Sequence, residues 1–227
     1  MNVFYCEDVG VDAILEEQEA VHCVRVLRHQ IGDTVHIIDG KGARYGGVVS
    51  QISGKKCIIH ITEREVYEEA RKTVHIAVAP AKSNERNDWM LEKLIEIGVT
   101  DISFIITQRS ERVTIKEERI HKIVIATMKQ CKRLWMPQVH TPISFSEFIK
   151  TYEGGEKYIA YCGDGEKISL HPTLRPAILL IGPEGDFTET EIEQAIGKGY
   201  RTASLSTGIL RTETAALVGA VQLMPAV

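Results

Sequence analysis

The stretch Ile178–Leu217, ILLIGPEGDFTETEIEQAIGKGYRTASLSTGILRTETAAL, decides how the rest of the chain is read. It contains two short apolar runs. Each runs into an irregular, glycine-containing loop, and each loop runs into a helical pattern. The first loop is Gly182-Pro183-Glu184-Gly185-Asp186, and the second is Ser206-Thr207-Gly208-Ile209-Leu210-Arg211. In an open α/β sheet, ligands bind in the crevice outside the carboxyl ends of the strands. Two such loops in tandem therefore predict one ligand site.

The residue types narrow the ligand. Glycine lets a backbone approach a ligand closely, and proline stiffens the turn. The first loop lacks the Lys-Ser/Thr pair of a P-loop and does not match GxGxxG, so a phosphate cradle is disfavoured. The second loop offers hydroxyls, open backbone and two apolar side chains, Ile209 and Leu210. Together the loops suit a flat heteroaromatic ligand gripped by backbone groups. Taken alone, the first loop also reads as an ordinary strand-to-helix turn. Arg211 reads equally as a structural ion pair with Glu213 or Glu184.

Working outward, the segment from Thr73 alternates strand and helix. Strands are expected at Val74–Ala79, Ile102–Ile106, Tyr158–Cys162, Ile178–Ile181 and Ala203–Leu205. Helices are expected from Asn87 or Asp88 (the cap) to Ile97, over Lys116–Cys131 and Phe145–Tyr152, from Thr188 to Gly197, and over Glu213–Met224. Thr188 with Glu191 has capping-box spacing. This alternation predicts a mainly parallel sheet covered by helices on both faces. Residues 1–68 read differently, as strands at Val35–Ile38, Tyr45–Ile52 and Cys57–Ile61 joined by tight turns, with one helix over Glu16–Arg28. The pattern predicts a small β-barrel. The charged segment Thr62–Lys72 is the expected linker, giving domains 1–68 and 73–227.

The chain has 227 residues and a net charge of −4. The charge is uneven: residues 109–133 carry 8 basic and 3 acidic side chains, a local run that permits RNA contact. Five scattered cysteines without a CxxC pair predict a reduced, cytoplasmic protein with neither disulfides nor zinc. No apolar run reaches the length of a membrane span and no histidine cluster suggests a metal, so neither a membrane nor a metal is expected.

The two late loops resemble those of the SPOUT superfamily of S-adenosylmethionine-dependent RNA methyltransferases. Within it, the chain is similar to the RsmE family, which methylates N3 of a uridine in 16S ribosomal RNA. The residues that carry the resemblance are Leu180–Gly185, Phe187, Glu191, Leu205, Ile209–Arg211 and Glu213–Ala215. Upstream, Lys82, Arg86, Asp88-Trp89, Lys93, Glu96, Gly98-Val99, Ser110–Arg112, Gln130-Cys131 and Arg133 also match, as do His22, Val26–Arg28, Gly32-Asp33 and Asp39-Gly40. Asp186 stands where a glycine is usual, and Gly208 where a basic residue is usual. Ala126 and Lys129 replace acidic residues, and Lys82 and Arg86 lie one residue further apart than usual.

The resemblance implies an α/β C-terminal domain with a deep trefoil knot, an N-terminal PUA-like β-barrel and a cytoplasmic homodimer acting on the small ribosomal subunit. It implies S-adenosylmethionine bound by Ile181, Gly182, Pro183, Glu184, Gly185, Leu205, Ser206, Gly208, Ile209 and Leu210. Arg211 is the candidate for stabilising charge on the uracil oxygens, with Glu184 or Glu213 holding it or accepting the proton. RNA contacts are expected from Arg25, Arg28, Arg112, Lys132 and Arg133, with Arg109 in the same basic run. Tyr45 and Trp135 are candidates for base stacking, against a competing reading as core residues. Two other readings compete: an RNA-binding protein whose methyltransferase fold is inactive, and a nucleotide-dependent oxidoreductase, which the missing GxGxxG disfavours.

Overall fold

A computed structural model describes residues 2–68 and 74–225. The chain divides into two compact units, Met1–Ala70 with Ile125–Met136, and Arg71–Val124 with Pro137–Val227.

The first unit contains β1 (Val3–Tyr5), β2 (Asp12–Glu16), α1 (Glu17–Val21), a π-helical segment (His22–Val26), β3 (Thr34–Ile38), β4 (Ala43–Ser53) and β5 (Lys56–Val66). The sheet order is β1-β3-β4-β5-β2, antiparallel except for the β1–β3 pair. β1 and β2 are its edges, so hydrogen bonding does not close a barrel among the described residues; bulges at Gly46/Gly47 and Val49/Gln51 interrupt the β4–β5 register. β5 runs on to Val66, so half of the expected linker is strand; residues 69–72 of that expectation lie outside the described residues. The single expected helix is two pieces. After the π-helical segment, Arg28 adopts a left-handed φ of 58°, so Arg25 and Arg28 do not share a helical face.

Asp39 organises the β3–β4 turn. Its Oδ1 accepts from the Lys41 and Ala43 amides at 2.7 and 3.0 Å, and its Oδ2 accepts from the Tyr45 hydroxyl at 3.1 Å. Tyr45 is thereby a buried core residue. Trp135 lies over Gly42, where a Cβ would come within 2.2 Å of the indole. Both aromatics thus pack within this unit. Cys23 and Cys57 meet in the core as thiols, their Sγ atoms 3.9 Å apart.

In the second unit, β6 (Val74–Val78), α2 (Asn84–Ile97), β7 (Asp101–Ile106), α3 (Glu117–Cys131, whose C-terminal part belongs to the first unit), β8 (Gln138–Ser144), α4 (Phe145–Thr151) and β9 (Glu156–Ala160) come first. They are followed by β10 (Ile168–Ser169), β11 (Ala177–Ile181), α5 (Glu189–Gly197), β12 (Arg201–Ser204) and α6 (Thr212–Leu223). The seven strands are all parallel, in the order β10-β12-β9-β11-β6-β7-β8. Every residue of β11 is buried, as a central strand covered on both faces requires. Ile178 and Leu180 share a core with Phe145 and Phe148 of α4 and Ile192 of α5. Leu179 points the other way, to α6, where a Cβ on Gly219 would approach it to 2.2 Å.

Two helix starts show how sequence spacing maps to caps. The Thr188–Glu191 capping box forms as expected. The α2 cap is instead Ser83, whose hydroxyl accepts from the Arg86 amide at 3.2 Å. Asn87, expected as a cap, is buried inside the helix. Its side chain accepts from the Ala81 amide and donates to the Ala81 and Ser83 carbonyls, fixing the turn that leads from β6.

Candidate active site

Three adjacent strands, β12, β9 and β11, end at one cleft of about 670 Å³. Its walls are the loops that follow those strands and the first turn of α6. The two loops expected to form one site do meet here. The third wall, Tyr161, Cys162 and Lys167, follows β9. It was not read from the sequence, although Cys162-Gly163-Asp164-Gly165 has the same form of strand followed by a glycine loop.

The first loop is held from several sides. Gly182 is buried, and a Cβ there would come to 3.1–3.2 Å of Phe187, a tight contact that glycine avoids. Its carbonyl accepts from Thr212 Oγ1 at 3.1 Å, which ties the loop to α6. Asp186 takes a left-handed φ of 60°. That conformation explains why a glycine suits the position. Asp186 offsets the strain with its carboxylate, which accepts from the Phe187 and Cys162 amides, each at 2.8 Å. Arg109 Nη1 donates to the Gly185 carbonyl at 2.7 Å, so this member of the basic run supports the loop. Buried Glu191 accepts from the Gln108 amide at 2.8 Å as well as completing its capping box.

In the second loop, Ser206 Oγ accepts from the Gly208 amide at 3.0 Å and donates to its carbonyl at 2.6 Å. A Cβ on Gly208 would meet nothing within 4 Å, so no steric demand excludes a side chain. Ile209 is 86% exposed at the cleft. An isoleucine so exposed on a short loop presents apolar area to whatever fills the cleft.

The charged groups divide into two sets. Arg211 is exposed on the cleft and no described residue gives its guanidinium a hydrogen bond or ion pair. The ion pair once open to Arg211 is made by Arg86, whose Nη1 lies 3.6 Å from Glu184 Oε1 and whose Nε lies 3.8 Å from Glu213 Oε1. Glu184 lines the cleft, and Glu213 is buried at its margin with Oε2 unpartnered. Burial and the nearby Asp186 carboxylate push the Cys162 thiol up, so it is not a ready nucleophile.

The RNA candidates separate in the same way. Arg25, Arg28 and Lys132 are exposed. Arg112 donates through Nε and Nη2 to the Lys82 carbonyl at 3.1 and 3.0 Å. Arg133 donates to the Trp135 carbonyl at 3.1 Å, and burial pulls its pKa down.

The RNA methyltransferase domain model matches residues 68–224, and the RNA methyltransferase PUA domain model matches residues 15–62. The chain belongs to the RNA methyltransferase family. It is similar to the ribosomal RNA small subunit methyltransferase E of Synechocystis sp., with 29% identity over 88% of this chain and 68% of that protein. Among solved structures, a "probable rRNA-methyltransferase" from Porphyromonas gingivalis is 36% identical over 98% of both chains, with a TM-score of 0.88. The ribosomal RNA small subunit methyltransferase E of Neisseria gonorrhoeae, bound to S-adenosylmethionine, is 27% identical over 97% of this chain and 95% of that one, with a TM-score of 0.84.

Proposed function

We propose that the chain is an S-adenosylmethionine-dependent methyltransferase that modifies N3 of a uridine in 16S ribosomal RNA. The observation that carries this reading is the cleft at the ends of β12, β9 and β11, with backbone-rich loops on its walls and Ile209 exposed at its rim. Its volume, about 670 Å³, suits a nucleoside with an amino-acid tail. Backbone of both loops lines the cleft, and Glu184 and Asp186 offer negative charge to a cationic ligand. Family membership and the S-adenosylmethionine-bound relative support the same ligand.

Bound S-adenosylmethionine supplies an electrophilic sulfonium methyl. The chain's own task is to bring uracil N3 into line with it and to manage the N3 proton. Arg211, unpaired at the cleft, stabilises negative charge developing on the uracil oxygens. Glu184 accepts the N3 proton: it lines the cleft, whereas Glu213 is buried behind it. Exposed Arg25, Arg28 and Lys132 hold RNA phosphates, while Arg112 and Arg133 shape the loops whose carbonyls they bind.

The same reading includes the trefoil knot and the homodimer. β12 lies beyond β9, yet α6 returns to pack on β11 and β6, and Thr212 binds Gly182 across that return. This path supports a threaded chain. Trp89 of α2 and Val221 of α6 are 45% and 58% exposed on helices that pack together, leaving apolar surface for a second copy. The inactive-fold alternative draws no support from the two unusual loop residues, because Asp186 keeps the left-handed turn and Gly208 leaves open space.

The test is methyl transfer to small ribosomal subunits lacking the modification, read by nucleoside mass spectrometry. The expected product is 3-methyluridine; methylation at carbon or at a ribose oxygen refutes the assignment. Calorimetry should show binding of S-adenosylmethionine and none of NAD.

A further inference from the structure

We infer that Arg86 is a positioning residue for this reaction: it joins Glu184 of the first loop to Glu213 of α6 and so sets the proton-accepting carboxylate at the cleft. The inference rests on the function proposed above.

The placement of Arg86 is unfavourable on local grounds. It sits in the first turn of α2, directly after the Ser83 cap, where the helix macrodipole disfavours a cation. Two carboxylates from distant parts of the sequence offset that cost. Glu213 lies in the first turn of α6, only 6% exposed. A carboxylate buried to that degree needs a charge partner, and among the described residues Arg86 is its one ion-pair partner. The Arg86 guanidinium uses different nitrogens for the two acids, Nε toward Glu213 and Nη1 toward Glu184. A lysine ammonium cannot reproduce that fork.

Glu184 has a second anchor. Its Oε1 also accepts from the Lys82 amide at 3.3 Å, and the Lys82 carbonyl in turn holds Arg112. Lys82, Arg86 and Arg112 thus form a frame behind the first loop. That frame engages Oε1, on a side chain that lines the cleft. Glu213 acts through Arg86 and does not line the cleft itself.

Arg86→Ala alone leaves Glu213 buried without a partner and risks unfolding, so the test is made in a Glu213→Gln background, whose amide needs no cation. Arg86→Ala in that background should keep the melting temperature of Glu213→Gln and bind S-adenosylmethionine within threefold of it. Turnover should fall at least 30-fold, and Arg86→Lys should restore little of it. Hydrogen exchange of the amides in residues 184–187 should quicken about tenfold, while β7 amides stay unchanged. Unchanged exchange in that loop, or turnover within threefold of the Glu213→Gln parent, overturns the inference. The exchange readout needs no methyl transfer. A wild-type protein that fails to methylate therefore refutes the proposed function, and the exchange result still decides the role of Arg86.

Discussion

Arg211 and Asp186 show how single residues divide the labour of the site. Arg211 is an exposed cation of the cleft with no hydrogen bond or ion pair from its guanidinium among the described residues, so its removal breaks none of these. Arg211→Ala should keep its melting temperature and cofactor affinity while losing about 10²–10³-fold in turnover, the usual scale for one charge-stabilising group. Unchanged turnover would remove Arg211 from the chemistry. Asp186 is the opposite case. It holds a left-handed backbone and two amide hydrogen bonds, including the one to Cys162 that links the first and third walls. Asp186→Ala keeps the backbone strain and loses both bonds, for an expected cost of about 1–3 kcal/mol. Asp186→Gly relieves the strain and should cost less. Thermal melts of the two variants would show that order; equal melting temperatures would mean that the conformation carries no strain. The family resemblance marked Asp186 as unusual, but only its φ and the two amide hydrogen bonds its carboxylate accepts explain how the loop tolerates it.

At the level of elements, legibility followed burial. β11 was readable because five consecutive buried apolar residues have one interpretation in a parallel sheet. The edge strands β8 and β10 were missed: Gln138–Ser144 breaks alternation with His140-Thr141 and carries Pro142, and Ile168–Ser169 is two residues long. The π-helical segment was missed because side-chain spacing does not report an added backbone residue per turn. The small residues of α6 left two explanations open, and Gly219 against Leu179 supplies one within the chain. Gly219→Val should therefore destabilise by about 1–3 kcal/mol through overpacking; a neutral melt would show that α6 can move off the sheet. A second element-level consequence involves His75 on β6. Its Nε2 lies 2.8 Å from Ser103 Oγ, and Phe148, Tyr152 and His140 pack around the ring, with Asp101 nearby. Burial lowers its pKa from 6.5 to about 4, against a smaller upward pull from Asp101. Below pH 6.5 the unfolded chain takes up a proton that the folded chain refuses until about pH 4, so stability should fall as pH drops through that window. Urea unfolding from pH 7 to pH 4 should show this slope, and His75→Gln should flatten it. An equal slope in both proteins would assign the acid sensitivity to other groups.

For the whole molecule, the late loops told more than the global charge did. A net charge of −4 would not by itself predict an RNA partner, and the basic run over residues 109–133 overstated how many cations are available. Arg109, Arg112 and Arg133 all donate to backbone carbonyls, a use that sequence cannot separate from phosphate binding because the partner carbonyls are set by tertiary structure. Of the exposed RNA candidates, Arg109 is spent on the Gly185 carbonyl, which leaves Arg25, Arg28 and Lys132. If these neutralise phosphates, each contributes roughly 0.7–0.9 to the slope of log K against log salt. Replacing all three by alanine should reduce the magnitude of that slope by about 2 to 3 and weaken RNA binding at low salt, with S-adenosylmethionine affinity unchanged. Arg112→Ala and Arg133→Ala should instead lower the melting temperature and leave the slope nearly intact, since a guanidinium spent on a carbonyl displaces no counterion from RNA. Fluorescence anisotropy with a short single-stranded RNA between 50 and roughly 300 mM salt spans the range over which such contacts are lost. An unchanged slope in the triple variant, or a large change in either single variant, would move the RNA contact surface away from these three side chains.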